Sequence, residues 1–192
     1  MTAPRRWRPL RFAVGAALLA GSYVEARRPD LPAYEERIFR AANRAPAAIR
    51  TPIRTVMQAG TFGTVPAVAV VAALAGRRRL ALTLALGGTA AWVGAKAIKL
   101  IGGRERPARI LDDVVVREGI EGDRGWISGH TAVATTLAGI LADESPGWAR
   151  PLVWSVPALT AAGRLYVGAH LPHDTVGGAG FGLMLSALVP RR

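Results

Sequence analysis

Three short polar clusters interrupt an otherwise apolar sequence, and their side chains are of the types that phosphoryl transfer requires. The clusters lie at residues 99–107, 126–130 and 164–174, so distant parts of the chain must come together to unite them. Their candidate functional residues are Lys99, Arg106, Ser128, Gly129, His130, Arg164, His170 and Asp174.

The cationic members of these clusters are suited to binding phosphate. Lys99, Arg106 and Arg164 offer fixed positive charge and hydrogen-bond donors but no acceptors. Ser128 and Gly129 precede an apolar stretch that predicts a helix. The backbone N–H groups and the positive end of that helix would also face an anion, and Gly129 lets the backbone approach closely.

The two histidines supply the reactive groups. His130 and His170 lie in different clusters and can divide the roles of nucleophile and general acid. A neighbouring carboxylate such as that of Asp174 can orient one imidazole and stabilise its cationic form, as in a catalytic triad. Cations, histidines and carboxylate together indicate phosphoryl-transfer chemistry.

The composition limits the elements that can position these residues. The chain has 192 residues, of which 51% are hydrophobic, and a net charge of +12. It has no cysteine, which excludes a disulfide scaffold, a thiol nucleophile and cysteine-ligated metal sites. The positive charge suits nucleic acid, an anionic membrane surface or a phosphorylated substrate. Because the arginines are dispersed among apolar runs without an aromatic platform, we expect no nucleic-acid partner.

Six apolar runs predict an all-α, polytopic membrane bundle of about six transmembrane helices, since about 20 mostly apolar residues cross a bilayer. The run at 55–76 contains no charged residue, and the shorter runs are flanked by arginine or lysine. We interpret the first run as an uncleaved span rather than a secretory signal. The runs are residues 12–24, 55–76, 80–95, 125–142, 151–163 and 175–190.

A further helix is predicted between the first two spans. Asp30 is a plausible N-cap, and Pro46 ends the pattern. This helix either lies in the membrane interface or packs, solvated, on the bundle. With the first span it forms an N-terminal part, 1–54, while 55–192 forms the catalytic bundle, in one integrated domain. The apolar stripe on this helix consists of Leu31, Tyr34, Ile38 and Ala42.

Six spans place both termini on the same side as the short loop that contains Arg77, Arg78 and Arg79. Arginine in a short loop favours the cytoplasmic side. We therefore predict a multi-pass protein of the bacterial plasma membrane with cytoplasmic termini and the polar clusters on the outer face. The charged loop at 104–124 either selects lipid headgroups or is a solvated surface loop.

The spacing of the three clusters resembles a known family. Lys-x6-Arg-Pro from Lys99, the Ser-Gly-His triplet at Ser128, and Arg-x5-His-x3-Asp from Arg164 are similar to the motifs of the type-2 phosphatidic acid phosphatase superfamily. That group includes lipid phosphate phosphatases, polyprenyl pyrophosphate phosphatases and vanadium haloperoxidases. The resemblance implies a helical core like that of acid phosphatases and vanadium haloperoxidases.

The resemblance also implies a role for each residue. His170 would attack phosphorus to form a phosphohistidine, and Asp174 would hold its imidazole in the right tautomer. His130 would protonate the leaving oxygen and then activate water. No metal or other cofactor is expected, and His173 fits no motif position. The phosphate cradle would consist of Lys99, Arg106, Ser128, Gly129 and Arg164.

Two positions depart from the family pattern. Ile127 stands where the family usually has proline, and Gly163 stands where serine often precedes the arginine.

The expected activity is metal-independent hydrolysis of a lipid phosphomonoester or pyrophosphate, of the polyprenyl pyrophosphate, phosphatidylglycerol phosphate or phosphatidic acid class. The alternatives are a vanadate-dependent haloperoxidase-like enzyme and a membrane protein that binds lipid phosphate without catalysis.

Overall fold

The computed structural model describes residues 7–119 and 122–189. All regular elements in those ranges are helices, apart from one isolated bridge between Glu105 and Arg124, which confirms the all-α prediction. The α-helices are α1 (Trp7–Ala26), α2 (Ala33–Asn43), α3 (Arg50–Met57), α4 (Thr64–Leu74), α5 (Arg78–Gly102), α6 (Pro107–Ile110), α7 (Gly129–Glu144), α8 (Arg150–Tyr166) and α9 (Pro172–Leu188).

The helix α7 forms the centre of the bundle. It packs against α5, α8 and α9, and α1 lies along the other side of α9. Residues 131–140 of α7 are buried without a break, since they are mostly alanine, threonine and glycine, whose small side chains let neighbouring helices approach closely. Val65 and Leu84 pack against Val133 and Ile140 to form the main apolar core.

Large apolar side chains cover the outside of the bundle. Leu74 on α4, Leu100 on α5 and Leu152 on α8 are among the most exposed. By length and composition, α5 is the one helix of the described chain that could cross a membrane by itself. The pair Ala47–Gly60 and Thr64–Leu74, bent by 71°, would count as a second span if taken as one. The number of six spans stays a prediction.

The apolar run at 55–76 does not form the continuous helix that its composition suggests. The helix α3 ends at Met57, a 3₁₀ turn follows at Gln58–Gly60, and α4 begins at Thr64. The hydroxyls of Thr61 and Thr64 both donate to the Gln58 carbonyl, at 2.8 and 2.5 Å, and such local bonds compete with helix continuation. The break places the 3₁₀ turn beside the N-terminus of α7.

The predicted N-cap of α2 is wrong, and its predicted apolar stripe is confirmed only in part. Pro32, not Asp30, occupies the N-cap position. Leu31 and Ala42 pack against the buried cluster of Phe39, Leu165 and Leu171, but Tyr34 and Ile38 are exposed. The face that packs on α8 and α9 is centred on Phe39, which is fully buried. The other buried residues of α2 are Glu35 and Asn43, four positions to either side of Phe39. Helical spacing of the apolar residues alone could not reveal a buried face of mixed polarity.

Ion pairs join the helix ends at the opposite end of the bundle from the start of α7. Arg11 on α1 pairs with Asp143 at 2.6 Å, and Arg77 before α5 pairs with Glu144. The arginines at 5, 6, 191 and 192, which enter the topology argument, lie outside the described residues, as does Glu121 of the charged loop. The orientation of the bundle in a membrane stays a prediction.

Candidate active site

The three polar clusters meet at one end of the bundle, around a cavity of about 800 Å³. They meet because α5 ends there, α7 begins there, and α8 passes into α9 there. The Asp174 side chain lies outside the cavity wall, behind His170. The predicted site residues that line the cavity are Lys99, Arg106, Gly129, His130, Arg164 and His170.

His170 lies in the tight connection between α8 and α9. Gly168 makes this turn with φ +78°, and a Cβ there would lie 2.7 Å from the carbonyl oxygen of Val115, so only glycine fits. The Nδ1 atom of His170 lies 3.4 Å from Oδ2 of Asp174, which also accepts the Leu171 N–H at 2.9 Å. Nε2 is therefore the ring nitrogen left to react in the cavity.

The imidazole of His170 is kept neutral by its surroundings. Its side chain is almost fully buried, and burial lowers its pKa well below the usual value; the nearby charges of Lys99 and Arg164 lower it further. A neutral imidazole has a free electron pair on one nitrogen, as a nucleophile requires.

Backbone carbonyls fix two of the cations. Lys99 donates from Nζ to carbonyl oxygens in the 122–125 segment at 3.1 and 3.3 Å. Arg106 donates from Nε to the Gly122 carbonyl at 2.7 Å and from Nη1 to the Ala169 carbonyl at 2.9 Å. Burial lowers the pKa of Arg106, although a guanidinium stays charged at neutral pH. Both cations are thus held at the cavity wall.

Arg164 has a carboxylate partner that the sequence did not indicate. Its Nη1 lies 3.2 Å from Oε2 of Glu118, whose other oxygen lies 3.5 Å from Nε of Arg54. The Nε atom of Arg164 is buried without a hydrogen-bond partner among the described residues. Glu118 therefore covers part of a cation that the resemblance assigns to phosphate binding.

The neighbour of Arg164 explains one departure from the family pattern. A Cβ at Gly163 would lie 2.5 Å from Cγ and 2.7 Å from Sδ of Met57, at the end of α3. A serine at this position would therefore collide with Met57. Glycine here permits the close contact between α3 and α8.

Ser128 is the N-cap of α7. Its Oγ accepts from the backbone N–H and the hydroxyl of Thr131 at 3.4 and 3.1 Å, and its side chain is fully buried. Its backbone N–H donates to the Asp174 carbonyl at 2.8 Å, which joins α7 to α9. In this geometry the Ser128 hydroxyl stabilises the helix start, and the groups of this cluster that face the cavity belong to Gly129 and His130.

Sequence reasoning missed a buried ion pair behind the site. Arg104, which the sequence places in the charged loop, donates to both oxygens of Glu35 at 2.9 and 2.6 Å and to Oδ1 of Asp174 at 3.3 Å. Burial acts to raise the pKa of Glu35, but hydrogen bonds from Arg104 and from the His173 N–H outweigh it and hold the pKa below its usual value. Burial likewise acts to lower the pKa of Arg104, but Glu35 and Asp174 raise it overall.

The exposed part of the cavity wall, which we call its mouth, is aromatic and basic. The rings of Phe62 and Trp92 lie 4.7 Å apart, and Nζ of Lys96 lies 3.7 Å from the Trp92 ring centroid. All three line the cavity. The one sequence signal that could have identified Lys96 is its position one helical turn before Lys99.

No group of three or more histidine and acidic side chains within residues 7–119 and 122–189 is arranged to hold a metal ion. The third histidine, His173, lies outside the cavity. Its backbone N–H donates to Oε1 of Glu35 at 2.9 Å, and its Nε2 lies 3.3 Å from the Tyr34 hydroxyl.

Comparison with known proteins connects this site to characterised relatives. A family model described as the PAP2 superfamily matches residues 78–192, which contain all three clusters. An undecaprenyl-diphosphatase of Sulfolobus acidocaldarius is 27% identical over 124 residues, a match that covers 65% of this chain and 60% of that protein. This chain thus spans about three fifths of that relative's length.

Two solved structures share the fold. LpxE of Aquifex aeolicus superposes with a TM-score of 0.74 at 22% identity, over 81% of this chain and 93% of that chain. A transmembrane PAP2-type phosphatidylglycerolphosphate phosphatase of Bacillus subtilis superposes with a TM-score of 0.75 at 20% identity, over 95% and 94% of the two chains.

Proposed function

Because this chain belongs to the PAP2 superfamily, we propose that it is a membrane phosphatase that hydrolyses the phosphomonoester or pyrophosphate of a lipid. The observation that carries the proposal is the geometry of His170. Its Nδ1 faces a buried carboxylate, while its ring lines a cavity that the motif cations Lys99, Arg106 and Arg164 also line. Phosphate binding alone would need the cations but not this pair.

The first step of the proposed reaction forms a phosphoenzyme. The neutral Nε2 of His170 attacks phosphorus, a P–N bond forms, and the P–O bond to the lipid breaks. His130 gives its proton to the departing oxygen. The Asp174 carboxylate stabilises the positive charge that develops on the His170 ring.

The second step releases phosphate. His130, now neutral, accepts a proton from water while the water oxygen attacks phosphorus and the P–N bond breaks. Lys99, Arg106 and Arg164 stabilise the phosphoryl oxygens in both steps, as fixed charges in a site with little water do most effectively. Because these side chains supply the positive charge, we expect activity without a divalent metal.

The surroundings of the cavity favour a lipid substrate. The outer faces of the helices expose large leucines, and Phe62 and Trp92 stand at the cavity mouth, where aromatic rings suit a membrane interface. The names of two relatives specify an undecaprenyl diphosphate and a phosphatidylglycerolphosphate as their substrates. The proposed location is the bacterial plasma membrane, with the site facing outward.

Phosphate release by the detergent-purified protein tests this function. The panel contains undecaprenyl pyrophosphate, phosphatidylglycerol phosphate and phosphatidic acid, each with EDTA present. We expect release from at least one lipid, its loss in His170→Ala, and a ³²P-labelled wild-type intermediate that is labile in acid and stable in alkali. Full activity in His170→Ala, or activity that EDTA abolishes and added metal restores, would contradict the proposal.

A further inference from the structure

We propose that Arg104 and Glu35 form a positioning pair for the catalytic carboxylate, which makes the N-terminal helix α2 a part of the active site. This inference rests on the proposed phosphatase function. Neither side chain is among the phosphate-binding or reacting groups that the three motif clusters supply, and neither lines the cavity. They would act through Asp174 on His170.

The contacts form a continuous chain behind the nucleophile. Glu35 accepts two hydrogen bonds from Arg104, at 2.9 and 2.6 Å, and Arg104 Nη1 reaches Oδ1 of Asp174 at 3.3 Å. The other oxygen of Asp174, Oδ2, lies 3.4 Å from Nδ1 of His170. Each Asp174 oxygen is thus directed, one toward the arginine and one toward the imidazole.

Burial indicates that the pair has a role beyond general stability. Arg104 is 8% exposed, and Glu35 and Asp174 are fully buried. A buried ion pair is often no more stabilising than apolar residues of the same volume, but a buried carboxylate without a cation is strongly unfavourable. Asp174 is such a carboxylate when the His170 ring is neutral. Arg104 supplies its missing positive charge from the side away from the cavity.

The backbone holds both members of the pair in register with the site. Arg104 lies two residues before Arg106, and its carbonyl accepts the Gly125 N–H at 2.7 Å, so the segment of the phosphate cradle also fixes Arg104. Glu35 accepts the backbone N–H of His173 at 2.9 Å, one residue before Asp174. The pair therefore connects α2 to α9 and to the end of α5.

The charges around Asp174 give the two members opposite effects. Arg104 favours the ionised carboxylate, and Glu35 offsets part of the charge of Arg104. Removing Arg104 should let Asp174 take up a proton more readily, whereas neutralising Glu35 should make it harder to protonate. The charged and titratable groups around Asp174 are Glu35, Lys99, Arg104, Arg106, His170 and His173.

The test measures kcat against pH for Arg104→Gln and Glu35→Gln, with whichever lipid of the panel the wild-type protein hydrolyses. In Arg104→Gln we expect the acidic limb of the kcat–pH profile to move to higher pH by about one unit or more. At a given pH on that limb, kcat should then be about tenfold lower than in the wild-type protein. In Glu35→Gln it should move to lower pH. KM should change little in both, because neither side chain lines the cavity. Arg104→Lys, which keeps the charge, should restore much of the wild-type profile.

The matched control is Arg11→Gln, which breaks the partly buried ion pair with Asp143 at the other end of the bundle. It should lower stability but leave the pH profile in place. The inference would be overturned if the acidic limb stayed in place in Arg104→Gln and Glu35→Gln, or moved in the same direction in both. Phosphate release by the wild-type protein would still support the proposed function in that case. If Arg104→Gln does not fold, the direction of the shift in Glu35→Gln decides alone.

Discussion

In the proposed mechanism, Glu118 competes with the substrate phosphate for Arg164, and replacing Glu118 with glutamine should tighten anion binding. At 3.2 Å, Coulomb's law with an effective dielectric constant of about 20 gives an attraction of about 5 kcal/mol. Most of that attraction is offset by the cost of taking both groups out of water. A net competition of about 1–2 kcal/mol remains, which corresponds to roughly a 5–30-fold change in affinity. Glu118→Gln should therefore lower the inhibition constants of orthovanadate and inorganic phosphate by about tenfold.

The assay is competitive inhibition of phosphate release at fixed pH and salt. Asp112→Asn is the matched control, because it removes the same charge from the same loop, at an exposed position that does not line the cavity. A charge of this kind is screened by solvent and salt, so the inhibition constants of this variant should stay near those of the wild-type protein. An unchanged or weaker inhibition in Glu118→Gln, or an equal gain in both variants, would refute the reasoning.

Three further outcomes are expected. Replacing Lys96 with methionine should lower kcat/KM about tenfold for a lipid pyrophosphate and much less for the matching monophosphate, since Lys96 stands beyond Lys99 at the cavity mouth; equal losses on both substrates would contradict this. Asp174→Asn should lower kcat by about 10²–10⁴-fold in the same phosphate-release assay while the protein stays folded, because an amide can hold the wrong imidazole tautomer. His170→Asn should lose less thermal stability than the wild-type protein between pH 8 and pH 5. Burial lowers the pKa of His170 below 6.5, so in this pH range the unfolded chain binds a proton at His170 that the folded chain does not bind. The wild-type protein therefore becomes less stable as the pH falls, and the variant lacks this contribution. Parallel melting curves would contradict it.

The meeting of the motif residues at one end of the bundle could be predicted because much of it follows from short spacings. Lys99 and Arg106 belong to one segment at the end of α5, and His170 precedes Asp174 by four residues at the start of α9, so local sequence already determines much of their geometry. The apolar runs between the clusters likewise predicted helices, and the described chain is helical.

The residues that support the motif could not be predicted in this way. The sequence pattern of α2 alone places Glu35 on a solvated face, and only the packing of α2 on α8 and α9 buries it. Glu118 and Arg104 are two of many charges between 104 and 124, and nothing in their spacing distinguishes them from exposed neighbours. The break between α3 and α4 depends on hydroxyl bonds to the Gln58 carbonyl, which overcome an apolar pattern of helical length.

The sign of charge alternates across the site, and in the proposed mechanism this alternation gives α2 a role. Cations face the cavity, His170 stands next to them, Asp174 lies behind His170, and Arg104 and Glu35 follow in turn. The cations attract the phosphoryl group and keep the imidazole neutral before attack, but they oppose the positive charge that the ring acquires during attack. Asp174 would offset that opposition only if it stays ionised and directed at Nδ1, and we propose that the contact of Arg104 with its second oxygen serves this purpose. Without Glu35, only Asp174 would balance the charge of Arg104, and the net charge behind the ring would be less negative. We therefore expect the part of the chain that carries the family motifs to depend on a carboxylate from a helix that precedes it.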